Sequence, residues 1–387
     1  MDEWLLTLNV GSSSVKFAAF PRAPGGAIIK GAITSIESEP RLSVRHAGAM
    51  VSDEPCGSCV VDLRSAVDHA LDVAFARMDP SMLAAIGHRI VHGGAAFTGP
   101  TLLNAEVIEA LRRLEPLAPL HQPASLAAID LVTRRAPHLS QFGCFDTAFH
   151  AVQPALNQVF ALPEDLIKRG VRRYGFHGLS YEHVAEVLRS RYGGGGRAVA
   201  AHLGAGASLC AMTDGVSVAT TMGMTPLGGI PMATRPGDID PGVVLYLMEE
   251  LAMSGLEVRE LLYRQSGLLA LSSESGDMQR LLASKSPQAA CAVAFFVEAV
   301  QREIAALAGA LGGIDTLVFT AGIGENAALI RERICAACAW FGVRIDPARN
   351  DAGAEEIHRG DAPIRVVVVA ADEEAVICAQ MRTALSM

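Results

Sequence analysis

Ala198-Val-Ala-Ala-His-Leu-Gly-Ala-Gly-Ala-Ser-Leu-Cys-Ala-Met212 reads as a strand, a glycine turn and a second strand. Glycines let the backbone reverse there and let its N–H groups approach an anion closely. The chain opens in the same way, with Trp4-Leu-Leu-Thr-Leu-Asn-Val-Gly-Ser-Ser-Ser-Val-Lys-Phe-Ala-Ala-Phe20. Gly206 lies 195 positions after Gly11, about half of the 387 residues. A strand–turn–strand unit at the head of each half suggests a duplicated domain.

The segments between the two openings alternate. Helical patterns run over Ser65 to Met78, Glu106 to Leu114, Pro123 to Arg135 and Ser180 to Tyr192. Later ones cover Pro241 to Ala252, Glu257 to Ser266 and Glu373 to Ala384. Ser286 to Leu311 is long, alanine-rich and apolar on all sides, which predicts a buried helix. Apolar runs ending near Arg89, at Asp146, at Thr320 and at Ala371 read as strands. Alternating strands and helices give an α/β fold with mixed sheets.

Half of the residues are hydrophobic and 37 are glycine, as in a soluble α/β protein with many tight turns. A net charge of −9 argues against a nucleic-acid surface. No run reaches membrane-spanning length, and Met-Asp-Glu-Trp opens no signal peptide, so the expectation is a cytoplasmic protein with no membrane partner. Eight cysteines include two C-x-x-C pairs, Cys56/Cys59 and Cys335/Cys338. The second pair sits inside a helical pattern with no turn between its thiols. Both pairs are therefore read as core or surface thiols rather than as a zinc site.

Polar residues gather at strand ends, where open α/β sheets carry ligands. They are Asn9, Ser12, Ser14 and Lys16, then Arg89, His92, His121 and Asp146. His177, His202, Arg235, Asp238, Asp240 and Glu373 follow. Each also has a structural reading. Lys16 can be a solvated strand residue, and the arginines can be structural ion pairs. His88, His92, His150 and His202 can be core histidines, and Asp238 and Asp240 can cap the helix after Pro241. Gly322-Ile-Gly-Glu-Asn-Ala imitates a dinucleotide fingerprint and is followed by Asp346. Too little chain remains for a series of βα units. The segment is instead read as a nucleotide-contacting helix start.

Seven stretches then point to a family. They are Asn9 to Lys16, Gly87-His-Arg-Ile-Val-His-Gly-Gly94, Leu117-Ala-Pro-Leu-His121 and Phe145-Asp-Thr-Ala-Phe-His150. Arg172-Arg-Tyr-Gly-Phe-His-Gly178, Met232-Ala-Thr-Arg-Pro-Gly-Asp-Ile-Asp-Pro241 and Phe319-Thr-Ala-Gly-Ile-Gly-Glu-Asn326 complete the set. In this order they resemble the acetate/propionate/butyrate kinase family, in its acetate and propionate branch. The resemblance implies duplicated actin-like (ribonuclease H-like) domains, with mixed sheets flanked by helices and the active site in the interdomain cleft. The expected domains are 1–150 plus a C-terminal helix 373–387, and a nucleotide-binding domain 151–372. The implied activity is Mg²⁺- (or Mn²⁺-) dependent, reversible transfer of the ATP γ-phosphoryl group to acetate or propionate, in a homodimer.

Roles carry over by the same resemblance. Asn9, Ser12 and Lys16 line the phosphate path. Arg89 and Arg235 bracket the carboxylate and the phosphoryl group, His177 donates to the transferring oxygens, and His121 supports them. Asp146 orients the reacting groups. Asn9 and Glu373 hold the metal. Val91, Leu120, Phe176 and Pro226 form the acyl pocket. His202, Gly204, Gly206, Asp277, Gly322, Ile323 and Asn326 belong to the nucleotide side. The chain departs from the family pattern at Gln122, Leu179 to Tyr181, Ala205, Pro236 and Gln279. Ala205 and Gln279 both bear on the donor. They motivate a same-fold kinase with an altered donor such as pyrophosphate as an alternative reading; a degenerate nucleotide-binding sensor is a further one.

Overall fold

The two glycine turns join antiparallel hairpins. The computed structural model describes residues 3–11 and 14–386; Ser12, expected on the phosphate path, lies outside them. The chain divides into one unit of Met1–Ala151 with Asp372–Met387 and a second of Val152–Ala371.

In the first unit, β1 (Trp4–Val10) pairs antiparallel with β2 (Val15–Pro21). β3 (Ile29–Thr34), β4 (Arg41–His46) and β5 (Ala49–Pro55) continue the antiparallel side outward. On its other edge β1 pairs in parallel with β6 (Leu83–Ile90), and β6 with β8 (Ser140–Phe145). A short β7 (Thr101–Leu102) closes the sheet. Leu5, Leu6, Leu8 and Val10 are all buried, because β1 is covered on both faces. On one side, α1 (Leu63–Phe75) and α3 (Gln122–Arg135) bring Val67, Leu71, Leu131 and Val132 onto Leu6, Leu8, Phe17 and Ile29. α2 (Ala105–Arg112) lies beside α3. On the other side, the C-terminal helix (Glu373–Ser386) sets Ile377 and Met381 against Gly87. α1 begins two residues before the expected Ser65, because Asp62 and Ser65 form a reciprocal capping box.

In the second unit, β9 (Arg197–Leu203) and β10 (Ala207–Thr213) make the hairpin. β11 (Val216–Thr220) extends it antiparallel, while β12 (Thr316–Thr320) and β13 (Arg365–Val368) pair in parallel beyond β9. The order β11-β10-β9-β12-β13 repeats β3-β2-β1-β6-β8 of the first sheet. The half-chain repeat thus extends from one turn to five strands. Helices α4 (Glu164–Lys168) and α5 (Gly178–Tyr192) precede β9. α6 (Pro241–Glu249), α7 (Gly255–Arg264), α8 (Gly267–Ser272), α9 (Met278–Ala283) and α10 (Pro287–Ala310) separate β11 from β12. α11 (Ala321–Asn326), α12 (Ala328–Ala337) and α13 (Pro347–Asp351) precede β13.

Two expectations are corrected here. α10 is not buried all round. It buries Ala292, Val293, Phe296, Val300 and Ile304 on one face, while Ala294, Phe295, Glu298 and Arg302 face solvent. Alanine at several exposed positions hides the amphipathic period. The helix expected from Gly322 through Ala337 breaks at Ala327, whose φ −100°, ψ 80° is not helical. Among the described residues no disulfide forms, and burial pushes the Cys338 thiol up to about 12. No described helix is long and apolar enough to cross a membrane.

Candidate active site

The parallel strands of the first sheet end on its charged residues. Asn9 is the penultimate residue of β1, Arg89 that of β6, and Asp146 follows β8, tied to β6 by its N–H donating to Ile90 O at 3.0 Å. This is the strand edge at which open α/β sheets carry ligands. The Arg89 guanidinium meets Asp146 with two nitrogens, Nη2 to Oδ2 at 2.6 Å and Nε to Oδ1 at 3.1 Å. Its Nη1 reaches Asn9 Oδ1 at 3.1 Å and Glu373 Oε2 at 3.2 Å. Asn9 Nδ2 donates to Glu373 Oε2 at 2.8 Å and to Glu374 Oε1 at 3.2 Å. Burial disfavours the Arg89 charge, but Asp146 and Glu373 outweigh it and hold the guanidinium protonated well beyond its ordinary value. Burial pushes the Asp146 carboxyl up to about 6, against the downward pull of Arg89. One guanidinium thus faces three carboxylates.

Nearby positions are held by backbone and amide contacts. Val91 is buried just past β6. Gln122 pins the next residue from both sides: it accepts from the His92 N–H at 3.1 Å, and its Nε2 donates to His92 O at 3.0 Å. The departure at 122 is therefore a longer amide with a defined backbone partner. Leu120 and His121 are half-buried on the turn before α3. Lys16 stands opposite Asn9 on β2, exposed in a groove of about 170 Å³ shared with Lys30, Arg45 and Glu374. His88 is a core residue: its Nε2 lies 2.8 Å from Gln141 Oε1, and burial lowers it to about 4.

The second unit gathers a different set at its hairpin turn. His177 precedes α5 with φ 59°, a left-handed conformation that costs a non-glycine residue about 1–3 kcal/mol. Its Nδ1 lies 2.8 Å from Ser208 Oγ, and its ring stacks on that of His202 with centroids 4.2 Å apart. His202 Nδ1 lies 2.8 Å from Ser180 Oγ. Arg235 is buried, and its Nη1 donates to Pro226 O at 2.7 Å. Burial pulls this guanidinium down to about 10, which leaves it charged at neutral pH. A Cβ built on Gly206 would stand 2.7 Å from Arg235 Nη2 and 3.4 Å from His177 Nε2. Only a bare backbone at 206 leaves both groups where they are.

The loop carrying Arg235 is held from below. Gly267 has φ +64°, and a Cβ there would meet Met232 O at 2.2 Å and Arg235 O at 2.6 Å. Asp238 accepts from the Gly229 N–H at 2.7 Å, so it closes the loop rather than capping a helix. Asp240 is the cap of α6, accepting from the Gly242 N–H at 2.8 Å.

Beside the hairpin turn, a cavity of about 500 Å³ is lined by Gly204, Ala205, Asp277, Gln279, Gly322, Ile323 and Asn326. Of the expected nucleotide residues, Gly204, Asp277, Gly322, Ile323 and Asn326 share this cavity, and two of the departures face it; Gly206 and His202 do not line it. Asp277 caps α9 through the Arg280 N–H at 2.8 Å. Ala205 accepts from the Ala233 N–H at 3.1 Å, which ties the turn to the Arg235 loop. Arg331, fully buried, donates to Gly324 O and Glu325 O at 3.0 and 2.7 Å and so fixes the end of α11.

Sequence reading did not single out Glu374, Ser208 or Arg331. Ser208 carries no local mark, because its partners come from α5. Glu374 could have been suspected from its neighbour Glu373. Among the described residues no three His, Cys, Asp or Glu side chains gather as a metal cage by themselves.

The acetokinase family model matches residues 4–379. An acetate kinase of Rhodopseudomonas palustris is 46% identical to this chain, with 97% of each covered. One of Methylocella silvestris is 43% identical, covering 97% of this chain and 96% of its own. Among solved structures, a propionate kinase from Francisella tularensis superposes with a TM-score of 0.88 at 33% identity, over 98% of both chains. The acetate kinase of Porphyromonas gingivalis gives 0.85 at 33% identity, over 99% and 100%. The chain belongs to the acetokinase family.

Proposed function

We propose that the chain transfers the γ-phosphoryl group of ATP reversibly to the carboxylate of acetate, giving acetyl phosphate and ADP. The observation that carries this reading is Gly206. Arg235 and His177 both approach it, in the turn whose Gly204 and Ala205 line the nucleotide cavity. Family membership over nearly the whole chain supports the same reaction.

A carboxylate is already ionised at pH 7, so no general base is needed. It is also a weak nucleophile, and the rate must come from alignment and charge neutralisation on a metaphosphate-like group. A carboxylate oxygen forms the new bond to phosphorus as the bond to the bridging oxygen of ADP breaks. In this reading Arg89, rigid between Asp146 and Asn9, receives the acetate carboxylate. Arg235 and the His177 imidazole stabilise the transferring oxygens, and His121 supports them. Val91, Leu120, Phe176 and Pro226 are the apolar contacts of the acyl methyl. Propionate is then a poor discriminator, since one methylene is worth only ~1–3 kcal/mol. His202, the turn glycines, Asp277, Gly322, Ile323 and Asn326 hold the nucleotide, with Lys16 toward its phosphates.

The Asn9–Glu373–Glu374 group suits Mg²⁺ or Mn²⁺: its donors are hard oxygens, and it carries more negative charge than Arg89 offsets. Glu373 is the direct ligand this arrangement offers, and Asn9 holds it in place. Mg²⁺ commonly takes one or two carboxylates and completes its shell with water and phosphate. When bound, the ion would offset phosphate charge. The protein is proposed to act as a homodimer in the cytoplasm. α6 presents Val243, Leu245, Tyr246 and Met248 to solvent, an apolar face that a second copy would cover. Its described cysteines form no disulfide, as is usual in a reducing compartment.

Pyrophosphate as donor is not favoured, because it would leave the cavity at Gln279 and Ile323 unfilled. Trapping the acyl phosphate with hydroxylamine tests the reading. Acetate and propionate with ATP should give hydroxamate. No product with ATP, or product with pyrophosphate alone, would reject it.

A further inference from the structure

Tyr181, one of the departures from the family pattern, is fully buried, and its hydroxyl lies 2.6 Å from Ser208 Oγ. Ser208 Oγ in turn lies 2.8 Å from His177 Nδ1. Neither distance alone sets the donor. A buried phenol proton needs an acceptor, and Ser208 Oγ is the one within reach at 2.6 Å. With that proton on Ser208, the single hydroxyl proton of Ser208 is left for His177 Nδ1. A neutral imidazole that accepts at Nδ1 carries its proton on Nε2. Nε2 is the nitrogen that faces Gly206.

We propose that Tyr181 is a positioning residue for the phosphoryl transfer, acting through Ser208 to hold His177 as the neutral Nε2–H tautomer that donates into the site. The inference rests on the reaction proposed above only for its kinetic consequence. Three further features oppose a doubly protonated ring. His177 is nine-tenths buried, it stacks on His202, and Arg235, which approaches the same side of Gly206, is cationic. A neutral donor avoids placing a second positive charge there. Burial drives the Tyr181 phenol well above its ordinary value, so it stays a hydroxyl at all working pH. The contact between Tyr181 and His202, ring edge to face at 6.4 Å, shows that the phenol also packs. Tyr181→Phe keeps that packing and removes only the hydroxyl.

The test uses the full chain labelled with ¹⁵N in its eleven histidines, with His177 assigned from the signal missing in His177→Gln. At pH 7.5 the wild type should show His177 with Nε2 protonated and Nδ1 bare. In Tyr181→Phe and Ser208→Ala this preference should relax. Their kcat should fall about 10- to 100-fold, up to the effect of a catalytic group misplaced by roughly 1 Å, with KM values nearly unchanged. Ser208→Thr, which keeps the hydroxyl, should restore both, and melting curves identify any variant that fails to fold. A wild-type His177 protonated on Nδ1, or on both nitrogens, overturns the proposal. So do variants with wild-type kcat and unshifted His177 signals. The nitrogen signals decide the relay even if acetate proves not to be the acceptor.

Discussion

Gly206→Ala is the sharpest single perturbation of the site. The added methyl would stand 2.7 Å from Arg235 Nη2, where a relaxed heavy-atom contact needs about 3.5 Å. The guanidinium must therefore retreat by most of an ångström. Its Nη1 is held by Pro226 O at 2.7 Å, so the fork tilts rather than slides. A misplacement of roughly 1 Å costs about 10²-fold in rate. Complete loss of one transition-state donor costs about 10²–10³-fold, which bounds the effect from above. His177 Nε2, at 3.4 Å from the methyl, stays in place. Stability should barely change. Gly206 is not left-handed, and the atom displaced is the end of a flexible side chain. Alanine at an unstrained glycine position stabilises by about 0.4–1 kcal/mol through the unfolded chain. The assay pairs initial rates of acetyl phosphate formation with thermal melting. A variant within threefold of wild-type kcat refutes the placement of Arg235. A variant that is inactive because it is unfolded refutes the claim that only the guanidinium moves.

Other outcomes follow from the same contacts. Arg89→Ala should lose about 10²–10³-fold in turnover, and differential melting should show lost stability, because the Asp146 carboxylate is left buried without its partner. Gly267→Ala should behave oppositely to Gly206→Ala, with a drop in melting temperature first, since its Cβ meets backbone at 2.2 Å in a left-handed residue. His88, lowered from 6.5 to about 4, is neutral when folded but protonates when unfolded between those values. The folded state therefore loses about 1.4 kcal/mol per pH unit as pH falls through that window. Asp146, raised from 3.8 to about 6, has the opposite sign: its contribution is lost as pH rises from 3.8 to 6. The difference between wild-type and His88→Gln denaturation curves isolates the histidine, and should grow toward pH 4. Chelation of divalent cations should abolish transfer while leaving the melting temperature of the free protein within a few degrees.

What was legible in the sequence depended on how local the signal was. Both hairpins could be read because an apolar run into glycines is a mark carried by consecutive residues. The strand-end positions of Asn9, Arg89 and Asp146 followed from the same runs. The Arg89 cluster itself was only partly legible, since Glu373 reaches Asn9 from 364 residues away. The Tyr181–Ser208–His177 chain was illegible for the same reason: α5 must pack on β10 before the three hydroxyl and ring groups meet. Arg331 looked like any helix arginine until its nitrogens were found on the α11 carbonyls and Asn350. α10 misled because alanine satisfies both a buried and an exposed position, which blurs the period that separates them.

Phosphorus NMR of the purified chain with acetate, ATP and Mg²⁺ tests the central claim most directly. The γ-phosphate signal should be replaced by acetyl phosphate in step with ADP, and acetyl phosphate with ADP should regenerate ATP. An unchanged ATP spectrum, or release of inorganic phosphate with no acetyl phosphate, would contradict it.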